Sequence, residues 1–418
     1  MTLDRLRGGQ LLAAAALLVA LAGITSGCGA VSGATAIGSA TSQALTVYSS
    51  LPLQGPSAQR SQDVVDGEKL ALEQSGGRAG RYRVGYVSMD DTSPSTGRWD
   101  PGQTSSNAKT AAQDRSTIAY LGDWDSGATA VSLPLINGSG ILQLSPASSY
   151  TGFTRALYAA KGEPDRYYPA GRRSFARLVS DDGQQASALL AYMARLHVRR
   201  LYVISDREVF DAAVAPIVTA AAGARHVAVA GQDELGVSSS DDQAVLARAV
   251  QARPDAVLYA GSNDPHAAEM LLALHSRLKR LKVFLPYFAA DPGFLGQLGS
   301  ARAVTYVASP AAPVRSYPPA GQRFAADYLA RFGAEPGAWA AYGYESMSLI
   351  LDTIRVSGRR GNDRQTITNR VLATRDRDSV LGRYSFRTDA TINPPTYEGY
   401  RVREGQLVFD RTLLAPRL

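Results

Sequence analysis

Residues 119–149 read AYLGDWDSGATAVSLPLINGSGILQLSPASS. An apolar run ending in Leu121 and Gly122 stops at a polar turn, 123–126. Small residues from Gly127 to Ala130 then open a helix that runs to Asn137, a C-cap, with Gly138 just beyond. A second apolar run, 141–144, ends at Ser145-Pro146-Ala147-Ser148-Ser149. The pattern is strand, helix, strand, with a short polar loop at each strand end. A crossover of this length makes the two strands parallel, so both loops emerge at one edge of the sheet. Open α/β sheets bind their ligands at that edge.

The same alternation extends outward in both directions. Upstream, 45–50 is a strand, 51–56 a turn with two prolines and a glycine, and 57–74 a helix striped by Val64, Val65, Leu70 and Leu72. The spacing predicts a strand at 81–89, a polar insertion at 92–102 containing Trp99, and a helix at 103–114. Downstream, a polar, tyrosine-bearing insertion covers 150–173. Helices are then expected at 183–196, 209–223, 241–252 and 267–278, and strands at 200–205, 226–230, 256–260 and 283–286. Strands alternating with helices at this spacing indicate parallel sheets, here in two consecutive α/β halves. After one strand at 304–308 the chain is mainly helical to 359, and 382–410 reads as short antiparallel strands.

The first residues have a different character. Arg5 and Arg7 precede an uncharged stretch, 11–24, and then Thr25-Ser26-Gly27-Cys28. A charged start, a short apolar run and small residues describe a secretory signal peptide, assigned to 1–27 and excluded from the fold. No Arg-Arg pair lies in this N-terminal segment, which favours the general secretory route. Cys28 is the only cysteine, so no intrachain disulfide can form. Its setting resembles the lipobox of bacterial lipoproteins, with Thr25 departing from the usual aliphatic residue. That resemblance makes Cys28 the lipidated residue and 28–44, rich in Gly, Ala, Ser and Thr, a flexible tether to the membrane. No later apolar run is long enough to span a bilayer. The formal net charge of +7 comes from dispersed arginines, not the concentrated basic face that nucleic acid requires, so no nucleic-acid partner is expected.

Several chemistries are excluded by spacing. His197, His226, His266 and His275 show no metal-ligand pattern, and neither metal nor cofactor is expected. The pairs Asp90-Asp91, Asp181-Asp182 and Asp241-Asp242 could suggest the two carboxylates of a glycoside hydrolase. Adjacent residues on an extended segment point to opposite faces, so these acids read as strand ends and helix caps. No Gly-x-Ser-x-Gly elbow, phosphate loop or dinucleotide fingerprint occurs, and no catalytic residue is assigned.

The order of several landmarks resembles the type I periplasmic binding proteins, in particular the leucine/isoleucine/valine-binding branch that serves ABC importers. They are 54–59 (QGPSAQ) after the first strand, Asp66-Gly67, Asp90-Asp91, Gly122 with Ser126, Gly140-Ile141 leading to Ser145-Pro146, and Tyr342-Gly343-Tyr344-Glu345. The resemblance implies an α/β fold of two Rossmann-like lobes joined by three hinge crossings, near Ser180, Ser309 and Tyr384. Lobe 1 is then 45–180 plus 309–383, and lobe 2 is 181–308 plus 384–418. A small-molecule ligand binds between lobes that close around it. In amino-acid-binding members, hydroxyl and backbone groups of the two first-lobe loops hold the α-carboxylate, which corresponds here to Ser126, Ala147 and Ser149. Hydroxyls and free N–H groups at a helix start suit a carboxylate on chemical grounds as well.

The second lobe departs from that template. Phe210 stands where amino-acid binders place a tyrosine, and Tyr287 is the nearest counterpart of their ammonium-binding acid. The preceding loop offers Ser262, Asn263 and Asp264, and Arg60 replaces a tryptophan after the first Gly-Pro turn. Trp124 and Tyr287 could form an apolar wall. The expected ligand-binding set is therefore Ser126, Ala147, Ser149, Trp124, Phe210, Asn263 and Tyr287. The resemblance implies a monomeric, lipid-anchored receptor on the outer face of the cytoplasmic membrane, or in the periplasm. It would pass a branched-chain or related amino acid to ABC permease subunits. A sensor of the same fold signalling to a membrane partner, and an exported hydrolase, are the alternatives.

Overall fold

The computed structural model describes residues 44–236 and 239–415. The signal peptide, Cys28 and the tether up to residue 43 lie outside the described residues.

Two sheets organise the chain. The first has six strands in the spatial order Arg78–Ala79, Tyr82–Asp90, Ala44–Leu51, Thr117–Gly122, Leu142–Ser145 and Phe175–Arg177. All neighbours run parallel except the first pair. The second has seven, in the order Gln406–Leu413, Tyr397–Arg403, Thr305–Ser309, Lys282–Pro286, Ala256–Ala260, Arg200–Ser205 and Ala228–Glu234. Its five earlier strands are parallel and the two C-terminal ones antiparallel. Central strands such as Thr117–Gly122 and Ala256–Ala260 are buried along their whole length, which accounts for their unbroken apolar sequence. The strand expected at 226–230 instead spans Ala228–Glu234. It lies at the sheet edge, where Gln232, Asp233 and Glu234 can face water. The helix expected at 209–223 is shorter, Val214–Ala221.

The long helices Ala58–Gln74 and Ala340–Ser357 pack together on the first sheet's side, and glycines set their separation. A Cβ on Gly67 would stand 2.0 Å from the Ala340 carbonyl oxygen, and one on Gly343 would stand 1.9 Å from that of Val64. Two landmarks of the family pattern are thus points of backbone contact. The insertion at 150–173, polar by composition, has a buried core: Tyr150, Phe153, Tyr167 and Tyr168 cluster with Leu133 and Phe175. The Tyr150 and Tyr167 hydroxyls each donate to Glu163 at 2.7 Å, which lets these rings be buried.

The chain passes between the sheets at three places. It leaves the first after Phe175–Arg177, and the helix Asp182–Arg195 joins the second, Gln185 donating to the Ala308 carbonyl at 3.0 Å. After Thr305–Ser309 it returns, and Arg364 ties a returning helix to the Thr117 carbonyl at 2.8 Å. The strand Gly382–Phe386 remains with the first sheet's core, where Tyr384 donates to buried Glu345 at 2.7 Å. Pairing with the second sheet begins at Tyr397, after the chain passes over at 394–396.

Candidate functional site

The loops after Thr117–Gly122 and Leu142–Ser145 are locked to each other. The Ser145 hydroxyl donates to the Asp123 carbonyl at 2.7 Å, and that of Ser148 to the same oxygen at 3.2 Å. The Asp123 carboxyl is buried and accepts from Tyr120 at 2.9 Å, Gln143 at 3.2 Å and Ser132. Burial pushes its pKa up to about 7 against the pull of these hydrogen bonds. Asp125 is the N-cap of the helix Ser126–Gly138, and the Ser126 hydroxyl accepts the Tyr150 N–H at 3.2 Å. Trp99 packs closely on this helix start: a Cβ on Gly127 would stand 2.2 Å from its ring.

Six of the expected ligand-binding residues, Trp124, Ser126, Ala147, Ser149, Phe210 and Tyr287, line one cavity. Its volume is about 10 Å³, room for a single water. Protein groups fill the rest. The Tyr287 hydroxyl, from the second sheet, donates to the Ala147 carbonyl of the first-sheet loop. The Arg60 guanidinium lies 5.1 Å over the Trp124 ring, donates to the Tyr287 carbonyl at 3.2 Å and stands 3.9 Å from Asp291. Trp339 packs edge-on to Trp124 at 4.8 Å and tilted to Tyr287 at 5.4 Å. Phe210 packs edge-on against Tyr150 at 5.0 Å.

The seventh residue, Asn263, lines an adjoining cavity of about 370 Å³ that shares Asp125, Asp211 and Phe288 with the first. Ser57, Arg98 and Trp99 face it from the first half of the chain, and Glu208, Ser262 and Asn263 from the second. Arg98 bridges the two sides, donating to the Asn263 carbonyl at 3.1 Å and standing 3.9 Å from Asp264. Asp206 holds the Ser262 loop, accepting from its N–H at 2.6 Å and its hydroxyl at 2.7 Å.

The larger cavity is acidic. Asp125, Glu208 and Asp211 line it against one guanidinium, that of Arg98. Burial raises the pKa of Asp125 to about 6 although Arg60 and Arg98 pull it down. Asp211 is held well above the ordinary carboxylate range by burial and by the charges of Asp125, Asp206 and Glu208. Like charges gathered in a cleft are a mark of a binding site, and here they suit a cationic group. Sequence reasoning left out Arg98, Trp99, Asp125, Glu208 and Asp211. The usable signals were the polar turn that holds Asp125 and the position of Asp211 beside Phe210.

Two members of the acidic pairs, Asp90 and Asp181, serve as structural anchors. Asp90 accepts the Leu53 N–H at 3.0 Å, and Asp181 caps the helix Asp182–Arg195 through the Gln184 N–H at 3.1 Å. Among the described residues no cluster of His, Cys, Asp or Glu is placed to hold a metal ion, and no helix is long and apolar enough to cross a membrane.

Comparison with solved structures places this architecture. A leucine-binding protein from Thermotoga maritima superimposes with a TM-score of 0.74 at 19% identity, covering 88% of this chain and 98% of the other. A branched-chain amino acid transporter substrate-binding protein from Streptococcus pneumoniae, in complex with isoleucine, gives 0.70 at 16% identity over 89% and 100%. An ABC transporter solute-binding protein from R. palustris, in complex with benzoate, gives 0.71 at 17% over 90% and 97%. No curated protein sequence matches the chain. The family model described as periplasmic binding protein matches residues 49–405, most of the chain. With its parallel sheets and type I fold, this chain belongs to the periplasmic binding protein family, whose members bind solutes outside the cytoplasm and are not enzymes.

Proposed function

We propose that the protein is a lipid-anchored receptor that captures a small ammonium-bearing solute between two lobes, one on each sheet, and delivers it to an ABC importer. A branched-chain or related amino acid is the default ligand through the family resemblance. The observation that carries the reading is the 370 Å³ cavity, faced from both halves of the chain and lined by Asp125, Glu208 and Asp211. A ligand that touches both sides favours the closed arrangement by its differential contacts. Its ammonium would donate charge-assisted hydrogen bonds to Asp125 and Asp211. Its apolar body would pack on Trp99 and Phe288.

This assignment moves the ammonium-binding acid away from the position of Tyr287. It also leaves Ser126, Ala147 and Ser149 behind a tyrosine that a ligand carboxylate would have to displace. Calorimetric titration of the full-length chain with leucine, isoleucine and 4-methylpentanoate tests it. The amino acids should bind, the deaminated acid should not, and Asp211→Asn should weaken amino-acid binding at least tenfold. Equal binding of the deaminated acid would overturn the ammonium assignment. The anchor is tested separately, because Cys28→Ser should release the protein from membranes and continued retention would remove the lipid from the proposal.

A further inference from the structure

A second cavity, of about 340 Å³, lies away from the acidic one, at the place where the chain passes between its sheets. All three passages contribute to its wall: Leu178–Ser180 from the first, Pro310, Ala312 and 316–318 from the second, and Ile392, Pro394 and Thr396 from the third. Its size falls within the range of small-molecule sites, roughly 300–1,000 Å³.

Most of the lining is apolar. Tyr317, Tyr342 and Tyr384 line it, but their hydroxyls are committed elsewhere: to the Ala338 carbonyl at 3.1 Å, the Pro310 carbonyl at 2.8 Å and Glu345 at 2.7 Å. What these three residues offer an occupant is ring surface. The lining cation, Arg383, is held by Asp378 through two hydrogen bonds of 2.8 and 3.0 Å.

Two lining polar groups are left over. Glu398 is only 8% exposed and Ser180 1%. The Thr412 side chain hydrogen-bonds the Glu398 carboxyl, but Glu398 Oε2 and Ser180 Oγ have no hydrogen-bond partner. Glu398 forms no ion pair with any described residue. A buried acceptor without a donor is costly, and an occupant carrying N–H groups would remove that cost.

We infer that this hinge cavity is a second ligand site, which takes a small organic amine: the ammonium on Glu398 Oε2 and Ser180 Oγ, the apolar body against Tyr317, Tyr342 and Leu178. An occupant in contact with all three passages interacts differently with open and closed arrangements. It therefore shifts the affinity of the acidic cavity, and the shift is reciprocal. This coupling, unlike the site itself, rests on the two-lobe reading proposed above.

The test is calorimetric titration of the full-length chain with 2-phenylethylamine, with benzyl alcohol as the uncharged control and hydrogen exchange to locate the bound amine. Binding of the amine with protection at 178–180 and 392–396 is expected, together with at least a tenfold loss of affinity in Glu398→Gln. Asp211→Asn should leave that hinge binding intact, which separates it from any amine held in the acidic cavity. Independently of how Glu398→Gln folds, Ala312→Phe, which fills the cavity and keeps the carboxylate, should also abolish binding. Failure of the amine to bind, equal binding of the alcohol, loss of hinge protection in Asp211→Asn, or unchanged affinity in the folded variants would each overturn the proposal. Leucine titrated in the same series reports on the acidic cavity independently.

Discussion

The Tyr287 hydroxyl is the perturbation that most directly addresses how the two halves of the chain hold together. It donates to the Ala147 carbonyl, a contact between the second sheet and a loop of the first, and both residues are buried. Tyr287→Phe removes one oxygen and leaves the ring against Trp339. The lost hydrogen bond is worth about 0.5–1.5 kcal/mol net, the upper part applying because the Ala147 carbonyl is buried and keeps no replacement donor. In the proposed closing motion that energy belongs to the closed arrangement alone, since opening would let water reach both groups. The closed-to-open ratio should therefore fall by roughly 2- to 13-fold in the variant. Arg60 at the Tyr287 carbonyl and Arg98 at that of Asn263 remain as bridges, so the shift should be partial. Small-angle scattering of the unliganded protein should show a larger radius of gyration, and hydrogen exchange should quicken at 147–149. Unchanged scattering together with unchanged exchange would refute the idea that this contact latches two moving bodies.

Other consequences are equally specific. Stability should rise as pH falls from about 8 to about 5, followed by urea midpoints. Burial raises Glu68 to about 8, Asp123 to about 7 and Asp63 and Asp182 to about 6, so the native state holds more protons than the unfolded chain there, and this contribution is lost as pH rises. Amino-acid binding should run the opposite way and tighten as pH rises through about 6, where Asp125 ionises; a flat pH profile for leucine would remove Asp125 from the site. Asp211→Asn should raise the thermal midpoint while weakening the ligand, because it relieves the repulsion from Asp125, Asp206 and Glu208. Gly343→Ala should destabilise by about 1–3 kcal/mol: the new methyl overlaps the Val64 carbonyl at 1.9 Å, which outweighs the roughly 1 kcal/mol gained from helix propensity. A midpoint at or above wild type would show that the two helices can separate without loss.

The sequence made the scaffold legible because sheet order follows from local pattern. Apolar runs such as 118–121 and 256–260 have to be buried, and crossovers of helical length make them parallel. It could not show which side chains meet across the two halves. Ser126, Ala147 and Ser149 are recognisable as loop residues at a strand edge, but their covering by Tyr287 and Arg60 depends on contacts more than one hundred residues apart in two cases, 140 for Tyr287 with Ala147 and 227 for Arg60 with Tyr287. Trp99 looked like part of a polar insertion because the glycine that receives its ring, Gly127, lies in another element. Asp211 illustrates the limit best. Apart from its place beside Phe210 nothing local distinguishes it from an ordinary surface acid, and its character comes from burial and from the charges of Asp125, across the cavity, and of Asp206 and Glu208 beside it. Such a group of acids is unfavourable for folding alone, and a cation that neutralises it is bound more tightly for that reason. The charge that defines the proposed ligand site is thus a property of the assembled fold, while the loops that frame it can be read from the chain.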